Sequence, residues 1–204
     1  MELMTGFGLA SAAGLNAYIP LLSMGLLGRY TDLVNLPSGW SWLENPWVLG
    51  IVAVLLAVEI VADKIPALDS VNDAVQTFVR PTSGGIVFAS GTAAQTAAVT
   101  DPGEFARTGQ WGPVAIGVVT ALVVSLTKST VRPVANVATG GVAAPVLSTI
   151  EDAASVGLTF VAILVPVLVL VILVALVWGA VSLLRRRRQR RPDTGEQTQS
   201  RTAG

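Results

Sequence analysis

The longest apolar run in the chain, Val156 to Val181, contains no charged residue, is dominated by Val, Leu and Ile, and leads through Trp178 to Arg185, Arg186, Arg187 and Arg188. A hydrocarbon core about 30 Å thick takes about 20 helical residues to cross at 1.5 Å per residue. The run therefore predicts a transmembrane helix stopped by a basic cluster. Trp47 to Ala62, Pro113 to Val131 and Gly6 to Gly28 predict three more, the last with many small residues and Asn16 in its interior. Gly84 to Val99 and Val134 to Ile150 are less apolar, but their Gly, Ala, Ser and Thr are the residues membrane helices use where backbones approach closely. The pattern predicts an all-α, polytopic bundle of six transmembrane helices. The alternative is five spans, with Val134 to Ile150 as a re-entrant segment.

Between the first two spans, Arg29 to Pro46 carries Trp40 and Trp42, with Trp47 directly after it. Indole rings favour the headgroup layer, so these predict an interfacial loop on the outer face, with an aromatic lid over a cavity as the functional alternative. Ala67 to Val79 places Leu68, Val71, Val75 and Phe78 at helical spacing, with Asp69, Asn72, Asp73 and Gln76 elsewhere. That spacing predicts a short amphipathic helix lying along the membrane surface. Residues 1–28 compete as a signal peptide, but they lack a basic leading region, so a retained helix is expected.

Composition supports the membrane reading: 52% of the 204 residues are hydrophobic and 13% are charged, with a mean hydropathy of +0.65. Cys and His are absent, which excludes thiol nucleophiles, disulfides, Cys/His metal or haem sites and a Ser-His-Asp triad. The formal charge of zero conceals an asymmetry, since seven of the 13 Lys and Arg lie between Arg185 and Arg201. Positively charged flanks stay cytoplasmic, so the C-terminus, Lys64 to Arg80 and Lys128 to Arg132 are expected inside. The chain divides into a transmembrane domain, 1–184, and a basic then disordered tail, 185–204. Arg185 to Arg191 can bind anionic lipid or act only as a stop signal; pinned to a membrane helix and without interleaved aromatics, it is not expected to bind nucleic acid.

Charges in the apolar runs bear on function. Glu59 lies inside the second span, with Asp63 one turn later, and Lys128 and Arg132 repeat that spacing at the end of the fourth. A carboxylate in hydrocarbon costs about 2.5–3.5 kcal/mol on insertion scales, so Glu59 should face protein or water and find a partner. If the two helices pack together, the pairs meet, with Lys64, Asp69, Asp73 and Arg80 around them and Asn16 deeper in the bundle. The group reads either as an ion, proton or anionic-substrate site, with Glu59 the titrating or coordinating group, or as an ion-pair network that locks helix ends. Glu151 and Asp152 are expected to cap the last span. Gly84-Gly85 and Gly140-Gly141 suit close helix packing better than anion binding, since no lysine follows at P-loop spacing. Arg80-Pro81 and Arg132-Pro133, each followed by a Gly pair, suggest a parallel internal repeat, or chance.

Together, Ala13-Gly14-Leu15-Asn16-Ala17-Tyr18-Ile19-Pro20, Glu59, Ala62-Asp63-Lys64-Ile65-Pro66, Asp69, Asp73, Arg80-Pro81, Lys128, Arg132, Thr139-Gly140-Gly141, Pro145 and Glu151-Asp152 resemble the bacterial membrane proteins grouped as domain of unknown function 4126. The likeness extends to Val181. It implies a polytopic inner-membrane protein with no established activity. That family often carries arginine where this chain has Asn16, so no positive charge is carried over to the first helix. The expected role is passage or transport of a small solute or ion through the polar group, in a multi-pass protein of the bacterial cytoplasmic membrane. The alternative is a non-transporting scaffold or lipid-interacting protein. No enzymatic reaction, cofactor or metal is expected.

Overall fold

The first apolar run folds as two helices. α1 spans Glu2–Leu15 and α2 spans Tyr18–Tyr30, with Asn16 extended between them at φ −140° and ψ 120°. Its Oδ1 accepts from the amides of Tyr18 at 3.0 Å and Ile19 at 3.2 Å, satisfying donors that a helix start leaves open. Pro20 falls in that first turn, where its missing N–H removes no helical bond.

The computed structural model describes residues 1–96, 111–139, 143–166 and scattered positions from 168 to 182, with side chains described for all of these except 66–70, 133–138 and 143. After a short 3-10 turn at Ser41–Glu44 come α3 (Pro46–Ala62), α4 (Pro66–Ala93), α5 (Trp111–Thr139) and α6 (Ala143–Leu164). Two short strands, β1 (Val34–Asn35) and β2 (Gln95–Thr96), pair antiparallel, Val34 opposite Thr96. The fold is thus all-α apart from that ladder. Contacts divide the chain into two compact units, Met1–Val169 and Leu170–Gly204.

α1 and α2 run in opposite directions. A Cβ on Gly6 would stand 2.7 Å from Thr92 Cγ2, near the end of α4. β1, just after α2, pairs with β2, just after α4. Both outer ends of the pair therefore lie beside the end of α4. The junction lies further back along α4, where the Ser83 hydroxyl donates to the Ala17 carbonyl. Asn16 and Ala17 form the tip of a helical hairpin, about 21 Å from its mouth by the rise of the 14 residues of α1.

The hairpin is held from three sides, with α1 packed against α4, α5 and α6. Small residues permit this: a Cβ on Gly14 would stand 2.6 Å from Val124 Cβ and 2.7 Å from the Ala121 carbonyl oxygen. Phe7 and Phe88 meet edge to face with centroids 5.2 Å apart. α3 is the opposite case. It begins at Asn45, which accepts from the Trp47 amide at 2.9 Å, with Pro46 in the first turn. Of its residues only Leu49 and Glu59 are buried, while Trp47, Ile51, Val54, Val58 and Val61 are exposed.

Several expected spans take different forms. Gly6 to Gly28 is the hairpin. Ala67 to Val79 and the first ten residues of Gly84 to Val99 belong to the single 28-residue helix α4, which continues through Pro81. Val134 to Ile150 straddles the junction of α5 and α6, and Lys128 to Arg132 lies within α5 and is not a loop. Gly84 packs on Gly117 and Ala121, and Gly85 on Val114 and Val118; rising numbers on α4 meet falling numbers on α5, so the two are antiparallel. Among the described residues, two helical segments are long and apolar enough to cross a membrane, Trp111–Arg132 and Ala144–Leu164, and the apolar α3 is shorter. Six spans do not follow from this.

Candidate functional site

Where α3 ends, α4 and α6 pass and the hairpin turns, the structure buries a network of charges. Asp63, the residue closing α3, accepts from Asn72 Nδ2 at 2.6 Å, from Arg132 Nη2 at 3.1 Å and from the Ser148 hydroxyl at 3.1 Å. Arg132 also donates to Glu151 Oε2 at 2.6 Å and approaches Asp73 at 3.8 Å. Lys128 Nζ lies 2.8 Å from Glu151 and donates to the Leu15 carbonyl at 3.0 Å. A cation thus reaches the C-terminal end of α1, the negative end of its dipole. Asn16 Nδ2 donates to Asp152 at 2.9 Å and the Ser155 hydroxyl to the Ala12 carbonyl at 3.0 Å. α4, α5 and α6 each therefore bind backbone or side chain at the hairpin tip.

Glu59 stands apart. It is 2% exposed, its nearest opposite charge is Arg80 Nη2 at 3.6 Å, and that separation exceeds a hydrogen bond. Arg80 is fully buried and turns its Nη1 to Asp73 at 3.4 Å. The Tyr18 hydroxyl lies against Gln76 and near Glu59, and Gln76 is buried.

Burial raises the proton affinity of the Asp63 carboxyl, but the charges of Arg132 and then Lys128, with the hydrogen bonds of Asn72 and Arg132, outweigh it and hold the group below the ordinary aspartate value.

The expected site residues mostly converge. Asn16, Glu59, Asp63, Asp73, Arg80, Lys128 and Arg132 share the network, although Lys128 pairs with Glu151 and Glu59 with Arg80. Lys64 is exposed and its ammonium donates to the Ile60 carbonyl at 3.2 Å. The Asp69 side chain, Gly140, Gly141 and Arg185 to Arg191 lie outside the described residues. Glu151 and Asp152 are not caps: they sit in the third turn of α6, where Glu151 bridges two cations. Gln76, Asn72, Tyr18 and Ser148 were not anticipated as site residues. For Gln76 and Asn72 a signal existed, since both lie on the polar face of the amphipathic pattern, which turns toward the charges and leaves Val71, Val75 and Phe78 exposed. Among the described residues no group of His, Cys, Asp and Glu is arranged to hold a metal ion.

Fold and site together define an all-α protein built around a helical hairpin whose tip is anchored in a buried ion-pair network. The chain belongs to the family described as Domain of unknown function (DUF4126), which it matches over residues 3–186. No curated protein and no solved structure matches it.

Proposed function

We propose that this chain is a multi-pass protein of the bacterial cytoplasmic membrane that lets a small solute or ion pass at the buried network. The membrane reading is supported by an inside-out distribution of side chains. Arg80, Glu59, Asp63, Arg132, Lys128, Asn16 and Gln76 are buried, whereas Trp47, Ile51, Val54, Val58, Val119, Val123 and Leu126 are exposed. Water as the outer solvent would favour the reverse, and lipid favours this arrangement. An interrupted helix is tolerated in a bilayer where protein buries the freed backbone groups, and broken helices accompany solute sites in several transporter folds. On this reading the hairpin is re-entrant. The network end faces the cytoplasm, because Lys64, Arg80, Lys128 and Arg132 gather there.

The observation that carries the passage reading is Glu59, a buried carboxylate without a hydrogen bond beside the hairpin tip. A lock needs no such group, whereas a site that exchanges a ligand does. In proteoliposomes, the wild-type chain should raise permeability to at least one solute in a panel of small ions and uncharged molecules, and Glu59→Gln should abolish that increase. An increase equal in both proteins would remove Glu59 from the mechanism. Topology is testable because the chain has no cysteine. Single cysteines at Glu2 and Asn45 should react with an impermeant maleimide from the same side and Ile65→Cys from the other; labelling of Glu2 and Asn45 from opposite sides would rule out a re-entrant hairpin.

A further inference from the structure

The network has a closed half and an open half. In the closed half, both oxygens of Asp63 accept hydrogen bonds, and Glu151 and Lys128 each have a charged partner within 3 Å. In the open half, buried atoms of both kinds lack a hydrogen-bond partner: the acceptors Glu59 Oε1, Glu59 Oε2 and Gln76 Oε1, and the donors Arg80 Nε and Nη2. Their side chains are 2%, 1% and 0% exposed, so solvent at the surface does not serve them.

The mixture of unmet donors and acceptors restricts what fits. A bare cation satisfies the oxygens but faces the Arg80 guanidinium; an anion satisfies Arg80 but faces Glu59. A neutral group that both donates and accepts satisfies both sets. The spacing agrees, because Arg80 Nη2 and Glu59 Oε1 are 3.6 Å apart, close enough for one oxygen to accept from the first and donate to the second at ordinary hydrogen-bond lengths. Tyr18, in the first turn of α2, adds a hydroxyl to the same patch. We propose that Tyr18, Glu59, Gln76 and Arg80 bind a small uncharged solute bearing hydroxyl or amide groups, of the glycerol or urea class. This rests on the passage reading above and narrows its substrate.

The test is stopped-flow light scattering on proteoliposomes containing the full chain, after osmotic steps in glycerol, urea and sodium chloride. Re-swelling in glycerol or urea should be at least tenfold faster than in empty liposomes, with none in sodium chloride. Gln76→Leu, which removes an acceptor without touching a described ion pair, and Arg80→Lys should each slow re-swelling at least tenfold while eluting as the wild-type species in detergent. Passage of salt without glycerol or urea would overturn the inference and leave the passage reading standing. Passage of water alone would show that the patch holds water only, and would also overturn it. Glycerol or urea flux unaffected by either well-folded variant would reject the site. If nothing passes, the passage reading fails and the inference with it.

Discussion

α1 and α3 are both apolar helices, yet the protein uses them in opposite ways. α1 is built largely from Gly, Ala, Ser and Thr and is buried along most of its length; α3 is built from Val, Leu and Ile and buries only Leu49 and Glu59. Hydropathy alone ranks α3 as the more core-like, and the structure reverses that order. What places α1 at the centre is close approach, with small side chains on both partners. α3 is excused from it by having its large aliphatic groups face outward. On the membrane reading proposed above, the outward aliphatic face of α3 meets lipid while Glu59 turns to the protein interior.

This contrast is tested most severely at the hairpin tip. Lys128→Met removes the ammonium that serves both Leu15 and Glu151; the half-buried Glu151 keeps Arg132, but the Leu15 carbonyl loses its charged donor. It should cost about 3 kcal/mol, read as the unfolding midpoint in detergent; a shift no larger than that of a surface substitution would mean the tip is not anchored there. Next, Gly14→Val drives a side chain against Val124 and the Ala121 backbone and should cost about 1–3 kcal/mol of overpacking. Full stability would contradict the tight packing of α1 on α5.

The third test concerns pH. Because the Asp63 carboxyl is held below its ordinary value in the folded chain, its ionised form stabilises the fold above the unfolded aspartate pKa of about 3.9. That contribution is lost as the pH falls through the lower folded value. The stability gap between wild type and Asp63→Asn should therefore be full near neutrality and close below about pH 4; a gap unchanged into strong acid would mean the ion pair does not hold Asp63. The smallest effect belongs to α3, where a Cβ on Gly50 meets nothing within 4 Å. Gly50→Ala should stabilise by about 1 kcal/mol through helix propensity alone, and destabilisation would reveal a packed partner on that face.

The sequence reveals some of this better than the rest. The spacing of Glu59 with Asp63 and of Lys128 with Arg132 identifies charges that must find partners, and Asp63 does meet Arg132. α3 is legible from hydropathy because nothing interrupts it. The hairpin is hidden because residues 6–28 stay apolar across the reversal, and only Asn16 with Pro20 four residues later marks a helix starting anew. The extent of α4 is hidden for a related reason: Arg80-Pro81 reads as a boundary, but packing of Gly84 and Gly85 on α5 outweighs the one backbone bond that Pro81 cannot donate. Glu151 and Asp152 look like caps only if a helix begins at them, and α6 begins eight residues earlier, at Ala143.

The hairpin tip also imposes an order on synthesis. Its bonds reach forward from Ala17 to Ser83 over 66 residues, from Leu15 to Lys128 over 113, and from Ala12 to Ser155 over 143. At about 5–20 residues per second, the last partner leaves the ribosome roughly 7–30 s after Ala12. The first element made is thus the last that can be completed, and a chain released before α6 carries a hairpin whose Ala12 carbonyl and Asn16 amide still lack their partners.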